Sequence, residues 1–347
     1  MRIKSYPYSL SGEVSVDEIN ASMKRYIEYR NQWDECGKHH KETSFPTNVD
    51  IETSSLCNLS CEMCNWGIDL RKSKGNYKDK FEIIKDSYGN MDLEFYKKII
   101  NEIARENGYA IKLNWRGEPL INKNIAKMIK YAKEKGILEV LLNTNGTLLN
   151  QELSKEIIKA GLDVIIFSFD SMTKELFESI RKGADFVSTL ANILNFIKIR
   201  DKHKAKTGSP KPLIRVQMVV MDINKHEVDF FKKFFTPIVD LVTTQDYTNR
   251  GEENDRLSVF PKSIGRRACP QIWQRLVITW DGKVGMCCRD DVLSNHLGTL
   301  DYKNNSIKDI WNGKGLQGIR KQHLTDQLDP IDVCKICTYT ESFKWKK

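Results

Sequence analysis

The chain has 347 residues, 40% of them apolar and 29% charged, which is enough for one sizeable core or two smaller ones. No apolar run approaches the ~20 residues of a membrane span, and the start, Met1-Arg2-Ile3-Lys4-Ser5-Tyr6-Pro7, lacks the apolar stretch of an export signal, so a cytoplasmic location is expected. The net charge of +9 is scattered along helical patterns, and its densest run, Lys198 to Lys211, ends in turn formers and reads as a solvated connection, so no nucleic-acid surface is expected.

Ser15-Val16-Asp17-Glu18 has capping-box spacing, and Ile19, Met23, Tyr26 and Ile27 recur at helical period, predicting a helix from 15 to about 33. Strand patterns then appear near 48–54, 110–116, 138–143, 163–169, 213–220 and 239–246. Helical patterns lie near 93–106, 123–135, 151–160, 174–181, 186–201 and 225–235. Six strands alternating with helices predict an α/β fold of parallel βα units with right-handed crossovers.

The strand faces carry a second signal. Ile214, Val216, Met218 and Val220 alternate with Arg215 and Gln217; Val49 and Ile51 with Asp50, Glu52 and Ser54; Ile111, Leu113 and Trp115 with Lys112, Asn114 and Arg116. One face suits packing on helices and the other is polar. A closed eight-stranded barrel fills its interior with aliphatic side chains. A polar interior instead predicts an incomplete barrel around a wet cavity, unless these charges lie on exposed edges.

Beyond 255 the pattern changes. Pro261–Arg267 reads as a linker, Asp281-Gly282 as a hairpin turn between strands at 275–280 and 283–287, and 306–323 as a helix. The expected partition is 1–46 as a helical extension, 47–255 as the barrel and 256–347 as a small module.

Nine cysteines in a reducing compartment point to metal or cluster binding rather than disulfides. Cys57, Cys61 and Cys64 share one loop after the first strand, with no fourth cysteine nearby. Structural zinc takes four ligands, whereas a [4Fe–4S] cluster held by three cysteines leaves one iron open. Cys269, Cys287, Cys334 and Cys337 form a second set, for which a four-cysteine zinc ribbon and a fully ligated cluster both remain open. Cys288 adjoins Cys287 and could replace it. Cys36 reads as a packing cysteine, and His39-His40 as a surface pair.

With Trp115-Arg116-Gly117-Glu118-Pro119 at the end of the second strand, the Cys57-xxx-Cys61-xx-Cys64 loop resembles the signature of radical S-adenosylmethionine (radical SAM) enzymes. The resemblance implies a partial (β/α)6 barrel, a [4Fe–4S] cluster on the three cysteines, and S-adenosylmethionine chelated to its open iron. It further implies that Gly117, Glu118 and Pro119 serve the cofactor ammonium group, Ser168 its ribose, Arg181 its carboxylate, and Met63, where relatives often have an aromatic residue, its adenine. Asn143-Thr144-Asn145-Gly146 resembles the family's loop after the third strand; the plainer alternatives are a helix cap for Ser168, a surface charge for Arg181 and a simple turn for 143–146. Trp66 reads as local packing. The later cysteines, with Trp280-Asp281-Gly282, Gly298 and Trp311-Asn312-Gly313, resemble a SPASM/twitch module holding one auxiliary [4Fe–4S] cluster.

The implied activity is reductive cleavage of S-adenosylmethionine and hydrogen abstraction, leading to oxidation or epimerisation, with a flavodoxin or ferredoxin as electron donor. Glu52, Arg215, Gln217 and Tyr247 are pocket candidates. With only 56 residues before Cys57, short of the leader-recognition domain of peptide-modifying relatives, a small polar substrate is expected (a sugar, aminocyclitol or nucleotide-sugar), anionic in keeping with the net charge. Peptide or protein maturation is the alternative, and a non-catalytic iron–sulfur carrier or sensor a remote one.

Overall fold

A computed structural model describes residues 16–64, 66, 88–247, 268–335, 337 and 339. Helix α1 (Val16–His39) runs past its expected end near 33. The predicted alternation follows as β1 (Asn48–Ile51), α2 (Leu93–Arg105), β2 (Ala110–Lys112), α3 (Ile125–Glu134), β3 (Glu139–Thr144), α4 (Gln151–Lys159), β4 (Val164–Ser168), α5 (Lys174–Ile180), α6 (Phe186–Thr207), β5 (Leu213–Val220), α7 (Val228–Phe235) and β6 (Leu241–Asp246). Every neighbouring pair from β1 to β6 is parallel. β1 and β2 are shorter than their patterns because the backbone beyond them leaves the ladder: Ser55 N–H bonds to Gly89 O at 3.0 Å and Glu118 N–H to Leu56 O at 2.7 Å.

Register explains the two faces. Val49, Ile111 and Val140 are paired in one row, and Leu142, Ile165 and Ile214 in another. All six are buried in the core with Ile99, Ile100 and Ile103 of α2, each fully buried side chain stabilising by about 1.5–3 kcal/mol. On the opposite face the rows are polar or mixed: Asp50 beside Lys112, Asn143 and Ile166 beside Arg215, and Ser168 beside Gln217 and Thr243. Arg215 Nε donates to Thr243 Oγ1 at 2.9 Å and its other arm bonds Gln217. α1 crosses the N-terminal strand ends. Arg25 donates to the carbonyls of Gly136 and Gly108, Tyr29 stacks on Tyr109 at 5.4 Å, and Trp33 lies under the Arg275 guanidinium.

The C-terminal segment contributes α8 (Gln271–Gln274), β7 (Arg275–Ile278), β8 (Lys283–Gly285), β9 (His296–Thr299), α9 (Ile307–Trp311), α10 (Lys314–Leu324) and α11 (Asp332–Lys335). The hairpin is present, with Val277 opposite Gly285. Its turn needs Gly282, at φ +90°, because a Cβ there would stand 2.8 Å from Phe95 Cζ. The parallel pairing of β7 with β1, from Asn48–Arg275 to Ile51–Ile278, has no signal in the sequence. It makes the module part of one nine-stranded sheet, β6-β5-β4-β3-β2-β1-β7-β8-β9. The helix predicted over 306–323 is two, broken at Asn312-Gly313, and the carboxylate of Glu102 on α2 accepts the Ile307 and Lys308 N–H groups at the start of α9. Cys36 is buried; His39 is exposed, but His40 packs its ring 4.5 Å from that of Trp273. The expected linker 261–267 and the boundary at 255/256 lie outside the described residues. No helix among the described residues is long and apolar enough to cross a membrane.

Candidate functional site

Three loops at the C-terminal strand ends are bonded into one unit. The 57–64 loop docks through Ser60 N–H to Lys182 O (2.9 Å) and Glu62 N–H to Ile180 O (2.8 Å). Its Leu59, Cys61 and Met63 pack with Ile180 and Met221, and Tyr247 lies at the edge of that cluster. Gly117, at φ +66°, turns directly under this loop: a Cβ there would be 2.4 Å from Ser54 O and 2.7 Å from Leu56 O. Glu118 then reaches the third loop, accepting from Thr144 Oγ1 (2.7 Å), Asn145 N–H (2.8 Å) and Leu120 N–H (3.1 Å). Asn145 Nδ2 donates back to Asn58 Oδ1 at 3.0 Å. Pro119 opens a short 3-10 turn.

Burial pushes the Cys57 thiol up to about 11 and that of Cys61 to about 12, the nearby Arg181 only partly offsetting it. These are protonated thiols that a metal would convert to thiolates on binding. Burial likewise raises Glu118, against the pull of its three donors.

The other predicted residues fall into two groups. Ser168 ends β4, its hydroxyl without a hydrogen bond among the described residues, and Met63 lies within the cysteine loop, packed with Ile180 and Met221. Arg181 lies there too, Nη1 4.0 Å from Cys61 Sγ, but it is no surface charge: Nη2 is 2.5 Å from Asp170 Oδ2. Asp170, wholly buried at the end of β4, requires a cation. Arg181 Nε is buried with no hydrogen-bond partner among the described residues.

Glu52 departs from expectation. It is fully buried and held by Arg116 at 2.7 and 3.0 Å, with Trp280 N–H at 3.3 Å, so it joins the barrel to the C-terminal module rather than lining a pocket. Burial raises its pKa and Arg116 opposes the rise. Trp66 is local packing, bonded to Ser55 O at 2.6 Å and lying against Arg116.

Lys112, which its alternation with Ile111 and Leu113 already places on the polar face, is not among the pocket candidates read from the sequence. Its ammonium makes no hydrogen bond or ion pair among the described residues, and burial lowers its pKa despite the nearby Asp50. Asn143 Oδ1, on the same face, is a buried acceptor with no partner among the described residues. Asp50 itself is held by Arg275 at 3.1 Å.

In the C-terminal module Cys269 precedes α8, Cys287 and Cys288 follow β8, and Cys334 and Cys337 lie in and after α11. Burial raises Cys269, with Cys337 and Cys334 adding to it, and pushes Cys334 up to about 12, again with Cys337 adding. A hydrogen bond between Cys287 and Cys288 favours the neutral form of the first and the charged form of the second. Trp115 Nε1 donates to Cys288 O at 3.0 Å, tying the module to the end of β2. Unremarked in sequence, His323 bridges Cys269 N–H (3.2 Å) and Cys334 Sγ (3.4 Å). No three His, Cys, Asp or Glu side chains among the described residues are grouped as around a single metal ion.

The model of the radical SAM superfamily matches residues 51–227, about half the chain. The chain belongs to the radical SAM superfamily. An iron–sulfur cluster-binding domain, SPASM, matches residues 269–338 and decides against the zinc ribbon. This radical SAM chain is 31% identical over 180 residues to the tungsten-containing aldehyde ferredoxin oxidoreductase cofactor-modifying protein of Pyrococcus furiosus, a stretch covering 50% of this chain and 44% of that protein. It spans about half or less of the length of the curated relatives it matches.

Among solved structures, Streptococcus suis SuiB has a TM-score of 0.60 at 13% identity, over 90% of this chain and 75% of that one. BtrN in complex with AdoMet and 2-DOIA has 0.55 at 19%, over 86% and 94%. Both show the shared fold. The radical SAM and SPASM matches make [4Fe–4S] clusters and S-adenosylmethionine the chain's cofactors. The site fits them. It has three thiols on one loop, a lone arginine N–H beside that loop, and five further cysteines in the module.

Proposed function

We propose that this radical SAM enzyme oxidises a small, polar, anionic substrate held on the polar face of the barrel. Lys112 carries the argument: a half-buried ammonium without a hydrogen bond or ion pair among the described residues, facing the same side as Arg215, Gln217 and the orphaned Asn143 Oδ1. An anionic group would complete its coordination and offset the desolvation that lowers its pKa. A sugar acid, sugar phosphate or nucleotide-sugar also presents hydroxyls for Asn143, Gln217 and Thr243.

In this reading Cys57, Cys61 and Cys64 hold one cluster and Cys269, Cys287, Cys334 and Cys337 a second. When bound, the first cluster and S-adenosylmethionine supply the radical that takes a hydrogen atom from a substrate carbon, with electrons from a flavodoxin or ferredoxin. Gly117 lets the 117–119 turn approach the cysteine loop, and Glu118 locks that turn in place. Arg181, oriented by Asp170, offers its Nε–H to the cofactor carboxylate; Ser168 offers its hydroxyl to the ribose; Met63 and Tyr247 exclude water at the rim. The second thiol set favours oxidation over epimerisation. The partition at 46/47 and 255/256 belongs to the same reading.

The test is anaerobic incubation of reconstituted protein with S-adenosylmethionine, a reductant and deuterated candidates. Deuterium in 5′-deoxyadenosine from an anionic sugar or nucleotide-sugar is the expected result. Deuterium transfer from a peptide alone would replace this reading with peptide maturation. Absence of 5′-deoxyadenosine with every candidate would end the enzymatic reading.

A further inference from the structure

His323, in the last turn of α10, is buried. Its Nδ1 accepts the Cys269 backbone N–H at 3.2 Å, while Nε2 lies 3.4 Å from Cys334 Sγ. A ring nitrogen that accepts a backbone N–H carries no proton of its own, so the imidazole is neutral with its proton on Nε2. That N–H is directed at the Cys334 sulfur. Trp273, edge-on at 6.4 Å and itself packed on His40, helps fix the ring plane.

We infer that His323 is a positioning residue for the auxiliary [4Fe–4S] cluster, donating a hydrogen bond from Nε2 to the Cys334 thiolate and so raising the cluster's reduction potential. The inference rests on Cys334 being a ligand of that cluster. Donation to a ligand sulfur stabilises the more negative, reduced state, one of the levers by which proteins set cluster potentials. The same imidazole fixes the Cys269 backbone, so one side chain spans two of the four proposed ligands, which lie 65 residues apart in sequence (334 − 269).

The full chain carrying Cys57→Ala, Cys61→Ala and Cys64→Ala isolates the second cluster. About four irons per chain in this background confirms the ligand reading, and their absence would refute that reading, separately from the role of His323. Potentials then follow from redox titration monitored by electron paramagnetic resonance. His323→Phe and His323→Met, which cannot donate, are expected to shift the oxidised-to-reduced ratio at fixed potential about tenfold towards oxidised, or about 59 mV for one electron. His323→Gln, which keeps a donor, should restore most of the shift. An unchanged midpoint in Phe or Met overturns the inference, as does a Gln midpoint as low as theirs. Iron lost from Phe and Met but kept by Gln supports it; iron lost from all three marks the ring as packing and overturns it.

Discussion

Glu52 and Arg116 are joined by two bonds, Oε1 to Nε at 2.7 Å and Oε2 to Nη2 at 3.0 Å, where β1 and β2 end. Both side chains are almost completely buried, and Arg116 Nη1 continues to Asp291 O at 3.0 Å. The pair therefore joins two barrel strands to the C-terminal module. Removing one partner leaves a buried charge uncompensated, which typically costs about 3–5 kcal/mol. Arg116→Met should lower chemical-denaturation stability by that amount, and adding Glu52→Gln should recover part of it. A single variant as stable as the parent would contradict this.

Gly117→Ala should weaken S-adenosylmethionine binding at least about tenfold, some 1.4 kcal/mol, because its Cβ would meet Ser54 O and push the turn off the cysteine loop. Gly136→Ala is the control. It also sits at positive φ but with nothing within 4 Å, so it should cost only stability, about 1 kcal/mol. Anaerobic calorimetry on both reconstituted proteins makes the comparison, and equal affinities would refute the steric argument.

Lys112 makes a prediction with a defined pH window. Burial holds its pKa below the ordinary value near 10.4. Between the folded and unfolded values the unfolded chain binds more protons, so stability rises with pH there, and the full burial cost applies below it. Lys112→Met should be more stable than the parent at pH 7, on the order of 1–2 kcal/mol. The advantage should shrink as pH climbs towards 10. Urea titrations across pH 7–10 measure it; a deficit at pH 7, or an advantage growing with pH, would count against the buried ammonium.

Iron content separates the cysteines. The parent should hold about eight irons, and the Cys57→Ala, Cys61→Ala, Cys64→Ala chain about four, as should Cys334→Ala with Cys337→Ala. Cys36→Ala should leave the count unchanged, since that thiol is packed in the core. Cys288→Ser should keep eight and Cys287→Ser fall to four. The reverse result would assign Cys288 as the ligand.

Much of the barrel was legible because its signals are local. The alternation of Ile214, Val216 and Met218 with Arg215 and Gln217 needs no knowledge of the neighbouring strands to predict a polar face. Pairings were not legible. Nothing around Arg181 announces Asp170, 11 residues before it (181 − 170), as its partner, because only the folded β4–α5 connection brings the two together; nothing around Glu52 announces Arg116, because that contact joins strand ends 64 residues apart in the chain. The β1–β7 pairing escaped for the same reason: a short apolar run, Leu276-Val277-Ile278, states that it is a strand but not which edge it will extend.

The amino-acid sequence by itself determined the cysteine loop, the glycine turn after β2, the six strands alternating with helices and the second cysteine set, since residue type and spacing carry these. Tertiary structure alone decided which polar groups already have partners. It neutralised Glu52 and half of Arg181 inside the protein, left Lys112, Arg181 Nε and Asn143 Oδ1 without hydrogen bonds among the described residues, and set His323 between two cysteines. The physical reason is desolvation: a buried polar group is defined by what is beside it after folding, and only the packed chain brings those neighbours together.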